Sequence, residues 1–219
     1  VSMRLFDFPK KTHAVEMSNL TFTGGNIGGK TGGDGGAIRS YTPLTLRNCR
    51  FEGNRSQYGG GVYTERTTLL CRDCTFVKNS VDGGGMSYGG GIGTKYSTTL
   101  LYNVTCLSNA SASAGSAIAM RWPKGNSALV NVTATDNESS GGNSMGAAIE
   151  VFTSDAETKG ATALFRNVLS ANNRRKGSGN ADFDYTIDPG VHPRTIDHCA
   201  FANGATLAFP LVWKDFHTT

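Results

Sequence analysis

Apolar residues recur along the chain at fixed offsets from a polar residue, usually Asn, which we call the anchor. Successive anchors lie about 25 to 36 residues apart, a period typical of solenoid repeats. The anchors are Asn19, Asn48, Asp73, Asn103, Asn131, Asn167 and His198. This spacing predicts seven copies of one structural unit.

Three columns of residues around the anchor are mostly apolar. Two residues before it stand Leu46, Cys71, Leu101, Leu129, Phe165 and Ile196. One residue after it stand Leu20, Cys49, Cys74, Val104, Val132, Val168 and Cys199. Three residues after it stand Phe22, Phe51, Phe76, Cys106, Ala134, Ser170 and Phe201. Alternation of this kind predicts short β-strands with one buried face.

The chain is expected to turn at the anchor, because these three offsets cannot all face one side of a straight strand. Asn tolerates the left-handed backbone that such a corner needs, and its amide can bond the equivalent amide one unit away. We therefore expect a structural ladder of Asn19, Asn48, Asn103, Asn131 and Asn167. A second corner is predicted six residues further on, at Asn54, Asn79, Asn109, Asn137 and Asn173.

Glycine-rich passages precede the anchors in the middle of the chain, as at Gly35-Gly36-Ala37-Ile38 and Gly60-Gly61-Val62. Small residues let two backbones approach closely, and the branched residue can then enter the core. The 29 glycines are about twice the usual ~7% share. The chain lacks the spaced leucines of a leucine-rich repeat, so the pattern favours a parallel β-solenoid.

The Gly-Gly-Ala-Ile passage paired with Phe-x-x-Asn resembles the repeats of the polymorphic outer membrane proteins and related bacterial surface proteins. Phe51 to Asn54 and Phe76 to Asn79 match this motif in full, whereas the units at Cys106, Ala134 and Ser170 keep the Asn alone. The resemblance covers residues 19 to 173. It implies a right-handed parallel β-helix.

We predict one all-β domain over residues 1–219, a right-handed parallel β-helix (β-solenoid) of seven coils. Residues 19–204 are expected to form the coils, with an N-terminal cap at 1–18 and a C-terminal cap at 205–219, because an open solenoid end exposes unpaired backbone. Loops are expected before each glycine passage and again before each anchor, as at 121–127. Ligand contacts are expected at these loops or on the face between them.

Composition and charge argue against two classes of protein, those that bind nucleic acid and those that span a membrane with a helix. The net charge of +4 comes from scattered Lys and Arg apart from Arg174-Arg175-Lys176, so no basic face for nucleic acid is predicted. The sequence has no apolar run of the roughly 18 residues that a membrane-spanning helix needs. Its first residues do not resemble a signal peptide, so we expect a mature or excised piece of a longer precursor.

The five cysteines are expected to be buried free thiols, since Cys49, Cys74 and Cys199 share one inward column and Cys71 and Cys106 fall in two others. A Cys49–Cys74 disulfide between neighbouring units is the alternative. Cys71 and Cys74 have a spacing seen in metal sites, but no second pair of cysteines accompanies them.

The stretch from Thr195 to Cys199 resembles a short Ile-Asp-His segment of pectate lyases, which are also right-handed β-helices. As an alternative, that resemblance implies a lyase with the catalytic candidates Arg174, Arg175, Lys176 and His198. Its calcium candidates are Asp182, Asp184 and Asp188. The favoured interpretation has no catalytic residue and no cofactor, because His198 is an anchor and loop solvation explains the charges. Acidic residues do not recur in register, so no hydrolase pair is predicted.

Six Asn-x-Ser/Thr sequons are present, all of them at the two predicted corners. Asn19, Asn103 and Asn131 are expected to be buried in the ladder, which leaves Asn54, Asn109 and Asn137, at the loops, as the glycosylation candidates.

These observations together predict a non-catalytic extracellular or cell-surface module that serves in adhesion, surface structure or filaments. Its expected partners are a glycan or a cell-surface protein, with end-to-end self-association as a further expectation. A polysaccharide-active enzyme, a lyase before a glycoside hydrolase, is the alternative.

Overall fold

The computed structural model describes residues 2–10, 13–28, 33–83, 87–140, 148–153, 160–176, 183–186, 192–201, 205–207 and 213–214. For 183–186, 192–194, 201, 205–207 and 213–214 it describes the backbone alone. Over these ranges the chain is all-β, without a helix, and the named strands pair in parallel within three sheets.

Each sheet takes its strands from successive units. The first sheet contains β1 (Phe6–Phe8), β4 (Ile38–Ser40), β8 (Val62–Glu65), β11 (Ile92–Lys95), β14 (Ile118–Arg121), β17 (Ile149–Phe152), β20 (Phe183–Thr186) and β23 (Ala205–Leu207). The second contains β7 (Arg55–Ser56), β10 (Ser80–Val81), β13 (Ala110–Ser111), β16 (Glu138–Ser139) and β19 (Arg174–Arg175). The third contains β2 (Val15–Ser18), β3 (Thr21–Thr23), β5 (Leu44–Arg47), β6 (Arg50–Glu52), β9 (Thr68–Val77), β12 (Thr98–Leu107), β15 (Asn126–Thr135), β18 (Thr162–Ala171), β21 (His192–Asp197), β22 (Ala200–Phe201) and β24 (Trp213–Lys214).

Equivalent residues of successive units lie side by side within a sheet. Ile92 of β11 pairs with Val62 of β8 on one side and with Ile118 of β14 on the other. The prediction of an all-β chain with parallel strands is confirmed. The two segments expected to cap the ends contain the outermost strands of the first and third sheets, β1, β2, β23 and β24.

The anchor is a corner, as predicted. All seven anchors have a left-handed backbone, with φ between 48° at Asn48 and 58° at Asn19. The column two residues before the anchor is buried from Leu46 to Ile196, whereas Met17 of the first unit is partly exposed. The column three residues after the anchor is buried in each unit whose side chain the structure describes. In the column one residue after it, Leu20 of the first unit is the exception, with 43% of its surface exposed. Phe22, Phe51 and Phe76 stack in the core, with ring centroids 4.6 and 4.7 Å apart.

The two Asn ladders differ in burial. The left-handed residue of the second corner is the one before the Asn, as at Lys78 and Ser108, so the Asn side chain points into the protein. Asn109 is fully buried, and its amide links the units on both sides. The anchor amides, by contrast, are exposed, and Asn48 donates to Asn19 over 2.8 Å at the surface.

The five cysteines are all buried and unpaired by disulfides. Three of them lie one residue after an anchor, and there each thiol donates to the carbonyl two residues earlier, as Cys74 Sγ does to Arg72 O over 3.1 Å. Burial raises the pKa of the Cys71 and Cys106 thiols. The thiols therefore act as small core residues that also satisfy a corner carbonyl.

We predict that an aromatic disulfide reagent leaves the native protein unmodified for as long as it stays folded. The buried thiols are out of reach of the reagent in the folded protein, whereas unfolding in guanidinium exposes all five cysteines. Absorbance of the released thiolate measures both states. Rapid reaction of one or more thiols in the native protein would contradict the burial of the cysteines.

Candidate functional site

A cleft of about 270 Å³ lies on the outer face of the first sheet, between the loops that lead into this sheet and those that leave it. Its lining combines aromatic and charged side chains from four successive units. These residues are Asp34, Tyr58, Tyr63, Glu65, Tyr88, Lys95, Arg121 and Trp122. The cleft lies between the two sets of loops, where the sequence predicts ligand contacts.

The floor of the cleft is built from tyrosines that pack over small residues. Tyr63 points outward from β8, and the positions in register with it on the next two strands are Gly93 and Ala119. Tyr58 and Tyr88 enter from the passages before β8 and β11, and their ring centroids are 4.7 Å apart. The absence of a side chain at Gly93 and the small methyl group of Ala119 leave room for these rings.

A buried ion pair forms one wall. Nη2 of Arg121 lies 2.9 Å from Oε1 of Glu150, and Nε of Arg121 lies 3.3 Å from Oε2. Both side chains are almost fully buried, and the guanidinium lies 4.3 Å from the ring centroid of Tyr88. The bidentate pair holds the guanidinium in one place, because separation of the two partners would leave a buried charge alone. The guanidinium is thereby held against the ring of Tyr88.

Glu65 faces the cleft from the end of β8. Its Oε2 accepts a hydrogen bond from the Tyr63 hydroxyl over 3.0 Å, and its Oε1 lies 3.8 Å from both Arg66 Nε and Lys95 Nζ. Burial raises the pKa of Tyr63 well above its usual range, so this phenol keeps its proton and remains a donor. The carboxylate of Glu65 is thereby held in one orientation.

Asp34 contributes the second carboxyl group. Its backbone pairs with Tyr58, and its carbonyl accepts a hydrogen bond from Nε of Arg4 over 2.8 Å. Burial raises the pKa of the Asp34 carboxyl, and the negative charge of Glu65 adds to that shift, while Arg39, Arg4 and Lys95 oppose it. Asp34 therefore keeps its proton to a higher pH than an exposed Asp does.

An aromatic stack continues the cleft along the corner that follows the first sheet. Tyr96 and Trp122 stack with ring centroids 5.2 Å apart and an angle of 16° between the planes, and Phe152 meets Trp122 edge-on at 5.7 Å. All three rings are partly exposed. Tyr96 and Trp122 have φ values of 48° and 50°, which are uncommon for bulky residues and concentrate at functional sites.

Cations surround this stack. Arg66 lies 4.7 Å from the ring centroid of Tyr96, and Lys95 and Lys124 each lie 5.7 Å from it. Lys95 also lies 5.6 Å from the centroid of Trp122. The site thus combines partly exposed aromatic rings with cations held over them, which suits a ligand that has both apolar and polar groups.

The residues of the lyase alternative fall in different sheets. Arg174 and Arg175 form β19 of the second sheet, Lys176 follows them, and His198 is exposed at a corner of the third sheet. Of the calcium candidates, Asp184 belongs to β20 of the first sheet, while Asp182 and Asp188 lie outside the described residues. Within the described ranges, no group of three or more His, Cys, Asp or Glu side chains is arranged to hold a metal ion.

The expectation about which sequons are accessible is wrong. Asn54, Asn109 and Asn137 are fully buried, because the left-handed corner residue before each one turns its amide into the protein. Asn19, Asn103 and Asn131 are exposed, because the anchor amide projects from the outside of its corner. In the structure, the sequons that were expected to be accessible are buried, and those that were expected to be buried are exposed.

Sequence reasoning missed the cleft because its residues are aligned by the glycine passages and not by the anchor. The sequence does contain a signal for the cleft. In four successive units, the residue before a Gly pairs with its equivalent in the next unit, and these residues are Asp34, Tyr58, Tyr88 and Ala114. Arg66, Tyr96 and Trp122 likewise each follow a strand of the first sheet. A second alignment on the glycines would place both columns on one outer face.

Comparison with protein-family models, with curated proteins and with solved structures finds no match. In the described part of the chain, no helix has the length and apolar character needed to cross a membrane.

Proposed function

We propose that the chain is a right-handed parallel β-helix that serves as an extracellular or cell-surface module and binds a glycan in the cleft of the first sheet. The resemblance to the polymorphic outer membrane proteins points to the same fold and location. Adhesion to a glycan-bearing surface is the role that this module would have.

Three parallel sheets with strands from successive units support the proposed fold. A crossover between parallel strands is right-handed in nearly all proteins, which favours a right-handed coil. Repetition of one unit also produces a long, even outer face, and such faces are the usual binding surfaces of solenoids. The cleft and the aromatic stack lie on this face.

The aromatic stack is the observation that supports glycan binding. A sugar ring has a C–H face that can pack against the exposed part of Tyr96 or Trp122, and hydroxyls at its rim that can bond to Lys95 and the cleft tyrosines. The stack runs from unit to unit, so it extends along the direction in which the strands accumulate. An extended glycan is therefore favoured over a single small molecule.

Replacing Trp122 by Asn is expected to weaken glycan binding by about 10-fold to 100-fold, since full burial of a large apolar side chain is worth about 1.5–3 kcal/mol. Asn is chosen because it tolerates the left-handed backbone at this position. A glycan array identifies the ligand, and calorimetry on the best glycan measures the affinity of each variant.

Tyr102→Asn is the matched control, because Tyr102 is also partly exposed and contacts an arginine, at 4.3 Å from Arg72, but belongs to the third sheet. It should bind the glycan like the unmodified protein. Equal losses in the two variants, or no binding to any glycan of the array, would refute the proposed site.

A further inference from the structure

We propose that the cleft also hydrolyses a glycosidic bond of the glycan it binds, with Asp34 as the proton donor and Glu65 as the carboxylate that activates the attacking water. This inference rests on the proposed glycan-binding function. It goes beyond that function, because binding alone requires neither carboxyl group.

The two carboxyl groups come from successive units and line one cavity. Asp34 lies in the passage before β4, and Glu65 is the last residue of β8, the strand that pairs with β4. Their proximity was hidden in the sequence, where they lie 31 positions apart and follow different elements. Glycoside hydrolysis needs such a pair of carboxyl groups on either side of the scissile bond.

The surroundings of Glu65 are those of a carboxylate anion. A phenol donates to one oxygen, and two cations face the other at 3.8 Å. The carboxylate form of Glu65 can accept a proton from water. Its negative charge can also stabilise the positive charge that develops on the sugar ring in the transition state.

Asp34 has the opposite surroundings. It is half-buried, and Arg39, the cation whose charge acts on it most strongly, is bound by Asp7 at 2.9 and 2.6 Å. Over the described ranges, the Asp34 carboxyl accepts no side-chain hydrogen bond and forms no ion pair. The charged and titratable groups that act on it or face it are Arg4, Arg39, Tyr41, Tyr58, Tyr63, Glu65, Tyr88 and Lys95.

Burial raises the pKa of Asp34, so this carboxyl group keeps its proton to a higher pH than an exposed Asp does, whereas Glu65 accepts a hydrogen bond from a phenol and faces two cations. This difference assigns the roles of acid and base. Asp34 gives its proton to the glycosidic oxygen as the bond from that oxygen to the anomeric carbon breaks. Water forms the new bond to the anomeric carbon and gives a proton to Glu65, and proton exchange with solvent restores both groups.

The aromatic stack would hold the chain for this reaction. Glu65 is followed directly by Arg66, which lies over Tyr96, so a glycan lying on Tyr96 and Trp122 reaches the cleft beside Glu65. The aromatic stack would then bind the glycan, and the two carboxyl groups would catalyse the hydrolysis.

The test incubates the whole chain with the same glycan panel that is used for binding, in water enriched in oxygen-18. The unmodified protein is expected to release new reducing ends from a glycan that it binds, each carrying the heavy isotope. Asp34→Asn and Glu65→Gln should lower this rate by about 10²-fold to 10⁴-fold, while affinity for the glycan stays within about threefold. Glu52→Gln, at an exposed carboxylate paired with Arg50 in the third sheet, should leave the rate unchanged.

The rate should fall as the pH rises through the pKa of Asp34, because the donor must be protonated. Binding without any release of reducing ends between pH 4 and pH 8 overturns the inference and leaves the proposed binding function intact. Cleavage by Asp34→Asn at the full rate, or unsaturated products without heavy oxygen, also overturns it. Loss of binding in Trp122→Asn tests the binding function separately.

Discussion

Replacing Asn109 by Ala is expected to lower the free energy of unfolding by about 3–6 kcal/mol, which is a large fraction of the roughly 5–15 kcal/mol of an ordinary domain. The Oδ1 of Asn109 accepts hydrogen bonds from the backbone and side-chain amides of Asn79, each over 3.0 Å. Its Nδ2 donates to the carbonyl of Phe76 and to Oδ1 of Asn137, each over 3.0 Å. One side chain therefore joins units on both sides of its own.

The loss of stability is large because the hydrogen-bond partners of Asn109 are buried and cannot bond to water instead. Alanine leaves the Asn79 backbone N–H and the Phe76 carbonyl without their bonds in a fully buried position, at a cost of about 1–3 kcal/mol for each group. Chemical denaturation measures the total. Hydrogen exchange should show the earliest opening at the amides of Asn79 and its neighbours in the second sheet. The reason is that each unit of a solenoid is stabilised mainly by contacts with the units next to it.

Asn131→Gly is the matched control, because Asn131 is the equivalent residue of the exposed ladder and glycine keeps its left-handed backbone. That change removes a surface hydrogen bond to Asn167 and should cost about 1 kcal/mol or less. A loss at Asn109 no larger than that at Asn131 would show that the inner ladder does not hold the units together.

Much of the fold was predictable because the anchor constrains its neighbours strongly. A left-handed corner fixes which offsets face inward, so the apolar columns around Asn103 identify the buried residues Leu101, Val104 and Cys106 without any structure. The burial of all five cysteines follows from the same columns. Local backbone chemistry and a repeated period were enough for these features.

The accessibility of the two ladders was not predictable from residue type, since both use Asn. At the anchor the Asn itself is left-handed and its amide points outward, as at Asn103. At the second corner Ser108 takes the left-handed backbone, and Asn109 turns inward. A shift of one residue in the corner exchanges buried for exposed amides, and composition alone does not reveal such a shift.

The candidate site was not predictable from the anchor columns for a related reason. Asp34, Tyr88 and Trp122 occupy different positions of the unit, and only the close packing of the glycine passages brings them to one cavity. Apart from Tyr58 and Tyr88, the residue type at each lining position changes from unit to unit, so the positions recur but the residues do not. The cleft nevertheless lies on the face between the loops, where the sequence predicts ligand contacts, and that prediction awaits the binding experiment.

Replacing Gly60 by Ala is the second change with a large expected effect, about 4 kcal/mol or more or a failure to fold. A Cβ on Gly60 would lie 2.2 Å from the carbonyl oxygen of Gly90 in the next unit, and 2.7 and 2.8 Å from backbone atoms of Ser80. These are backbone atoms in a close-packed sheet, so relief requires the units to separate. Thermal and chemical unfolding measure the loss.

The effect should extend to the cleft, because Gly60 follows Tyr58 by two residues and the same passage carries that ring into the floor. Gly53→Ala separates this steric effect from backbone strain: Gly53 has a φ of +64° with open space around the added Cβ, so it should cost about 1–2 kcal/mol and leave glycan affinity unchanged. If Gly60→Ala were as mild as Gly53→Ala, the close approach of successive glycine passages would not be what sets the spacing of the units or the shape of the cleft.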